Sequence, residues 1–210
     1  MDTLHEKGYL QIKNWIDTSE AHTLLVACAP IVSKASHIFN NNPTQKEDKK
    51  RVQAILPRGI SKSLQKFIHK LFPEKQINDF VILKSKAGCQ QQAAHTDYVP
   101  TQEILYATDD EMPLLFLIAL EENTKLCVWP RSHTLIQGAR RRPIKCEEVH
   151  MNAGDALVFR GDLVHAGASY DTDNVRIHVY LDTADIPRKK NMTYSIHKHA
   201  PVEIQEKIIE

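Results

Sequence analysis

The sequence predicts a mainly β fold with flanking helices, an α+β jelly roll or barrel with N-terminal helices packed on its outside. Three observations carry this. Two stripes of apolar residues at helical spacing lie before residue 73. From Phe80 onward the texture changes to short strand-like segments at 80–86, 90–95, 114–120, 126–129, 144–150, 156–160 and 175–182. Turn residues such as Ala153-Gly154-Asp155 and Arg160-Gly161-Asp162 separate them. With 210 residues, 42% of them hydrophobic and 25% charged, the chain suits one globular domain over 1–210. Helical support is expected within 17–73 and a β core over 80–182.

The elements follow in order. Asp17 is placed to cap a first helix, with Glu20 three residues on completing a capping box. Leu24, Leu25, Cys28, Ile31 and Val32 form its stripe, and Pro30 is expected to kink or end it. The span 40–51 is polar and Lys-rich and carries Asn-Asn-Asn-Pro, which reads as a surface loop. Leu64, Phe67, Ile68, Leu71 and Phe72 mark a second helix, capped by Ser61 or Ser63 and stopped by Pro73. In the last strand, Val175, Ile177, Val179 and Leu181 alternate with Arg176, His178 and Tyr180. Period-two alternation puts the three polar residues on one face. That face either meets water, as in many half-solvated strands, or lines the mouth of a barrel.

Composition excludes several classes. The net charge of +1, from 27 basic and 26 acidic residues, rules out a strongly basic nucleic-acid coat protein and an acidic tail protein. A nucleic-acid substrate is therefore not indicated by net charge, although a local basic patch stays open. The longest apolar run, 113–120, is far shorter than a bilayer span, so no membrane insertion is expected. Met1-Asp-Thr-Leu-His-Glu-Lys has no apolar segment of the kind a secretory signal needs. Cys28, Cys89, Cys127 and Cys146 show no paired spacing. A reducing, cytoplasmic setting is the expectation, with a nuclear one left open.

The chemistry starts at His95-Thr96-Asp97, a His-x-Asp that is weak by itself in a chain with 11 histidines. Gly161-Asp162-Leu163-Val164-His165-Ala166-Gly167 supplies a second histidine. Two imidazoles and one carboxylate fill one face of an octahedron, the facial triad of non-haem Fe(II) oxygenases. Three positions then stay open for a bidentate cosubstrate and O₂. His and Asp at i and i+2 of an extended chain point to the same side, so His95 and Asp97 reach one metal. Arg176 follows His165 with ten residues between them. Its guanidinium matches a carboxylate as a fork and suits the distal carboxylate of 2-oxoglutarate. His178 and Tyr180 share its face and are candidates to line the same pocket.

These residues resemble the Fe(II)/2-oxoglutarate-dependent dioxygenases, most closely the phytanoyl-CoA dioxygenase-like branch. Gly8-Tyr9-Leu10-Gln11-Ile12-Lys13-Asn14-Trp15-Ile16 is similar to that branch's opening strand. His95-Thr96-Asp97 is similar to its metal dyad. Leu126-Cys127-Val128-Trp129-Pro130-Arg131-Ser132-His133 resembles its Pro-Gly-Ser-His strand end, with Arg131 in place of the usual Gly. Gly154-Asp155-Ala156-Leu157-Val158-Phe159 and the turn to His165 resemble the approach to its distal histidine, and Arg176 stands at the family's interval. The resemblance implies a double-stranded β-helix, Fe(II), 2-oxoglutarate and O₂ as cofactor and cosubstrates, and release of succinate and CO₂ as a substrate C–H bond is oxidised. It also exposes two departures. The family often has Ser two residues after the distal His, where this chain has Gly167; Tyr180 is one candidate for the missing hydrogen bond. The loop 98–111 matches no substrate class. The second Arg of AlkB-type repair enzymes, six residues after the first, is here Asp182.

Other polar residues have plainer readings. His133 is expected to order a strand end, and His197 and His199 to lie on the surface. His178 is expected in the core or pocket rather than as a fourth ligand. Arg140-Arg141-Arg142 and Arg188-Lys189-Lys190 are usually solvated faces. If the former, with Arg131 and Lys145, rims the metal mouth, it favours an anionic substrate. Three functions compete: an active oxygenase of hydroxylase type acting on an unidentified organic substrate, an inactive β-helix binding module, and a cupin-type metalloenzyme without 2-oxoglutarate. The oligomeric state is left open.

Overall fold

Asp17 does cap the first long helix. Its side chain accepts from the Glu20 backbone N–H at 2.7 Å. The computed structural model describes residues 2–38, 48–98, 101–133, 146–186, 188 and 193–195. Arg140, Arg141, Arg142, Lys145, His197 and His199 lie outside the described residues. The elements are α1 (Asp2–Lys7), β1 (Tyr9–Ile12), α2 (Thr18–Val32), β2 (Ser36–Ile38), β3 (Asp48–Ile55), α3 (Arg58–Leu71), β4 (Gln76–Ser85), β5 (His95–Thr96), α4 (Gln102–Tyr106), β6 (Leu114–Ala119), β7 (Thr124–Val128), β8 (Glu147–Met151), β9 (Ala156–Arg160), β10 (His165–Gly167), β11 (Asn174–Asp182) and β12 (Tyr194–Ser195).

The strands form two antiparallel sheets. The larger runs β1-β9-β6-β11-β4-β3-β2 and the smaller β12-β5-β10-β7-β8. This is the mainly β, α+β arrangement the sequence predicted. One core lies between the larger sheet and the helices, where Leu24 and Cys28 of α2 and Leu64 and Ile68 of α3 pack on Phe116, Ile118, Ile177 and Val179. A second core fills the space between the sheets, with Leu115, Leu117, Leu157 and Phe159 facing Leu126, Val128 and Val149. Strand β6 is buried along its whole length and feeds both cores alternately, which is why its sequence is a continuous apolar run.

Strand β11 turns the usual pattern round. Its apolar residues Val175, Ile177, Val179 and Leu181 face the helices. The polar set Arg176, His178 and Tyr180 therefore faces the interior between the sheets. Of the two readings its alternation allowed, the barrel interior is the one observed.

Several expectations are corrected. Residues 48–51 are strand, not loop: β3 pairs with β4, and Arg51 is buried. A run of charged residues hid the strand, because two of them point to water while Arg51 points inward. Neither Ser61 nor Ser63 caps α3. The helix starts at Arg58 with Pro57 at its N-cap and no side-chain cap, and Ser61 Oγ donates instead to the Pro57 carbonyl. Pro30 lies inside α2, which ends within a turn of it. Of the expected strand 90–95 only His95 pairs as strand, together with Thr96 just beyond it.

Candidate active site

His165 of β10 lies opposite His95 of β5, and opposite Val128 of β7 on its other side. The chain is brought there by the corner 129–133. Trp129 N–H donates to the Val164 carbonyl at 2.9 Å, and Val164 N–H donates to Ser132 Oγ at 2.8 Å. His133 donates through Nε2 to the His5 carbonyl at 3.0 Å, so it orders the strand end as expected. Arg160 holds Asp162 at 3.0 Å through Nε and fixes the turn before His165.

The two histidines are held by the same kind of contact. His95 Nδ1 lies 2.7 Å from the Ala93 carbonyl, and His165 Nδ1 lies 3.0 Å from the Leu163 carbonyl. A carbonyl can only accept, so each Nδ1 carries the proton and each Nε2 keeps its lone pair for a metal. Those Nε2 atoms lie 3.8 and 3.7 Å from Asp97 Oδ1. The ligand atoms of His95, Asp97 and His165 all fall within 4.8 Å of one another. Two neutral imidazoles and one carboxylate without thiolate suit Fe(II). The residues present fit the group.

The electrostatics agree with a cation site. Burial pushes the Asp97 pKa up, but the His165, His178 and His95 imidazoles and the Arg188 guanidinium outweigh it, and the carboxyl is held below its ordinary value. Burial lowers His165 to about 4, helped by His95 and opposed by Asp97. His178 falls to about 4 by burial, against the pull of Asp97. Both imidazoles are thus neutral at pH 7.

His178 and Tyr180 line the same space. His178 stacks on Phe159 with an interplanar angle of 10°. Its Nε2 is buried, has no hydrogen-bond partner among the described residues and lies 3.9 Å from Asp97 Oδ2. Burial, then the Asp97 charge, raises the Tyr180 hydroxyl well above its usual pKa. Tyr180 thus sits at the Asp97 end of β11, four residues from Arg176. Arg176 is buried and donates through Nη1 to Ser85 Oγ at 3.0 Å. It pairs with no carboxylate among the described residues.

A family comparison decides the assignment. Residues 4–178 match the family described as phytanoyl-CoA dioxygenase (PhyH). The chain belongs to this family. The chain is 32% identical over 142 residues to "Dioxygenase trt7" of Aspergillus terreus (strain NIH 2624 / FGSC A1156), covering 62% of this chain and 47% of that protein. The chain thus spans about half the length of the curated relative it matches. Its fold is shared with the non-heme alpha ketoglutarate dependent carbocyclase SnoK from nogalamycin biosynthesis (TM-score 0.66, 18% identity, 86% of this chain and 82% of that one). The epimerase SnoN, solved in complex with Fe3+, alpha ketoglutarate and nogalamycin RO, matches at TM-score 0.65 and 16% identity over 90% of this chain and 84% of that one. The His-x-Asp and distal His triad that would hold this family's metal is present in His95, Asp97 and His165. No helix among the described residues is long and apolar enough to cross a membrane.

Sequence reasoning missed Arg188. It was grouped with a solvated basic run, yet its guanidinium lies 3.6 Å over the Tyr180 ring and pairs with Asp79 at 2.6 Å. Asp182 accepts from Tyr98 and from Asn78 Nδ2 and lies 3.6 Å from Arg188. Asp182 in the place of an AlkB-type arginine was the available signal: a buried carboxylate there requires a cation from elsewhere.

Proposed function

We propose that the dioxygenase hydroxylates a C–H bond of an anionic organic substrate. His95, Asp97 and His165 hold the iron in this reading. Arg176 takes the distal carboxylate of 2-oxoglutarate, and His178 and Tyr180 line the metal end of the pocket. One observation carries the cosubstrate assignment: a buried guanidinium with no anionic partner costs several kcal/mol unless a ligand supplies the charge. When bound, iron, 2-oxoglutarate and O₂ would supply the oxidation of a C–H bond, one oxygen atom going to the substrate and the other to succinate as CO₂ is lost. The chain's own contribution is orientation. The Nδ1 bonds fix both imidazoles, Arg176 fixes the far end of the cosubstrate, and the apolar wall of Phe159 and Leu117 excludes water.

The anionic substrate rests on Arg131, exposed at the corner that packs on Val164, and on the basic run that follows it in sequence. Succinate release is to be screened against metabolite, acyl-CoA, peptide and nucleic-acid pools, with product mass read out. Release with one added oxygen atom supports the proposal. Release without it moves the reaction to another oxidation. A protein that neither binds 2-oxoglutarate nor releases succinate would be the binding module instead. With a substrate in hand, replacing Arg140, Arg141 and Arg142 by Gln should raise KM and flatten its salt dependence. Unchanged values would remove the anionic requirement.

A further inference from the structure

The departure at Gly167 has a structural cause. A Cβ built on Gly167 would lie 2.3 Å from Gln92 Oε1, so the Gln92 carboxamide already fills the space of a side chain there. Gln92 holds this place twice over. Its backbone N–H donates to the Gly167 carbonyl at 2.9 Å, and its Oε1 accepts from the Gly167 N–H at 3.0 Å. With Oε1 engaged, Nε2 is the end of the carboxamide left to donate, and it has no partner among the described residues.

The surroundings lead to Arg176. Arg51 Nε lies 3.4 Å from the same built Cβ and is buried without a partner among the described residues. The rest of that guanidinium is anchored, to Asp48 at 2.5 Å and to the carbonyls of Gln90 and Ala168 at 2.7 Å each. Arg51 is the register partner of Ser85, whose hydroxyl accepts from Arg176. Gln92, Arg51, Ser85 and Arg176 thus form one contiguous polar wall, with unused donors on Gln92 and Arg51 and an uncompensated charge on Arg176. Such a wall suits a carboxylate.

We propose that Gln92, clasped on Gly167, is the second side chain that binds the distal carboxylate of 2-oxoglutarate beside Arg176, in the space a Ser at 167 would use. This rests on 2-oxoglutarate being the cosubstrate. Arg51 backs the carboxamide and keeps it from rotating away.

The test is calorimetric binding to the anaerobic Fe(II) protein, without turnover. Two probes are used: 2-oxoglutarate, and 2-oxobutanoate, which lacks the distal carboxylate. Gln92→Ala should weaken 2-oxoglutarate at least about tenfold and leave 2-oxobutanoate within about twofold. Gly167→Ser alone should also weaken 2-oxoglutarate, because it displaces the carboxamide. The double variant Gln92→Ala/Gly167→Ser should recover most of the affinity. Equal loss for both probes, or no loss, would overturn the assignment, as would a double variant no better than the two single ones. Arg176→Ala separates this from the cosubstrate reading. If it abolishes the preference for 2-oxoglutarate while Gln92→Ala does not, only the Gln92 role fails. If the unaltered protein shows no such preference, the cosubstrate reading fails first and takes this one with it.

Discussion

His95 and His165 stand directly opposite each other in the antiparallel pairing of β5 with β10, with ring centroids 4.6 Å apart. This single register pair sets the metal site. A slip of one residue would turn one imidazole to the other face of the sheet. Asp97 follows His95 by two residues and closes the triad from the same strand direction. Asp97→Ala should lower iron affinity at least about 100-fold, more than loss of an outer partner of a ligand costs. Metal analysis reads the iron, and far-UV circular dichroism should show the fold retained. Full iron content in the variant would reject the triad.

Asp155 ties the connection after β1 to the turn before β9. It accepts from Lys13 Nζ at 2.8 Å, Asn14 N–H at 3.0 Å and Asn152 N–H at 2.9 Å. Burial pushes its pKa up, but these donors outweigh it and hold the carboxyl below its ordinary value. A folded-state pKa below the unfolded one gives stability that is full above the unfolded value and is lost as pH falls through the folded one. Asp155→Asn should cost about 1–3 kcal/mol at neutral pH. The gap to the unaltered protein should narrow below about pH 4. Urea titrations at several pH values check this, and a gap independent of pH would contradict it.

Arg131 occupies the left-handed region, with φ 65°, where the family's strand end usually has Gly. Its N–H donates to the Lys7 carbonyl at 2.9 Å, which holds the corner in that conformation. A side chain there costs about 1–2 kcal/mol relative to Gly, partly offset by the extra freedom Gly has when unfolded. Arg131→Gly should therefore raise Tm by about 2–4 °C. A lower Tm would mean that the contacts of the Arg131 side chain outweigh the strain.

How much of this was legible in the sequence depended on whether a signal was local. His95, Asp97 and His165 stood out because ligand types and their spacing are chemical constraints on the chain itself, and the structure brings the three together. The interior face of β11 was readable as a period-two pattern, although pattern alone left its direction open. Arg51 was not readable, since its neighbours Lys49 and Lys50 made the segment look solvated; only the pairing of β3 with β4 buries it. Gln92 was invisible for another reason. Its role depends on contact with Gly167, 75 residues away, and the sequence shows only that a hydroxyl is missing there. Arg188 is a long-range pairing of the same kind.

Substitution of Arg176 should act in opposite directions with and without ligand. The guanidinium is buried, lies 5.5 Å over the Tyr170 ring, and has one hydroxyl, Ser85 Oγ, as its hydrogen-bond partner among the described residues. Burial and the nearby Arg51 both lower its pKa, so the folded protein tolerates this charge rather than gaining from it. Without ligand, Arg176→Ala should leave Tm unchanged or raise it, because an unpaired buried charge is removed. With 2-oxoglutarate the direction reverses. Loss of a charge-assisted fork costs about 2–5 kcal/mol, so KM for 2-oxoglutarate should rise about thirtyfold or more. Arg176→Lys should fall between, since a point charge cannot form the bidentate pair. Iron binding should stay near normal in both variants. A residue that served only packing would lower the ligand-free Tm and leave KM unchanged, so thermal unfolding with and without 2-oxoglutarate separates the two roles in one experiment.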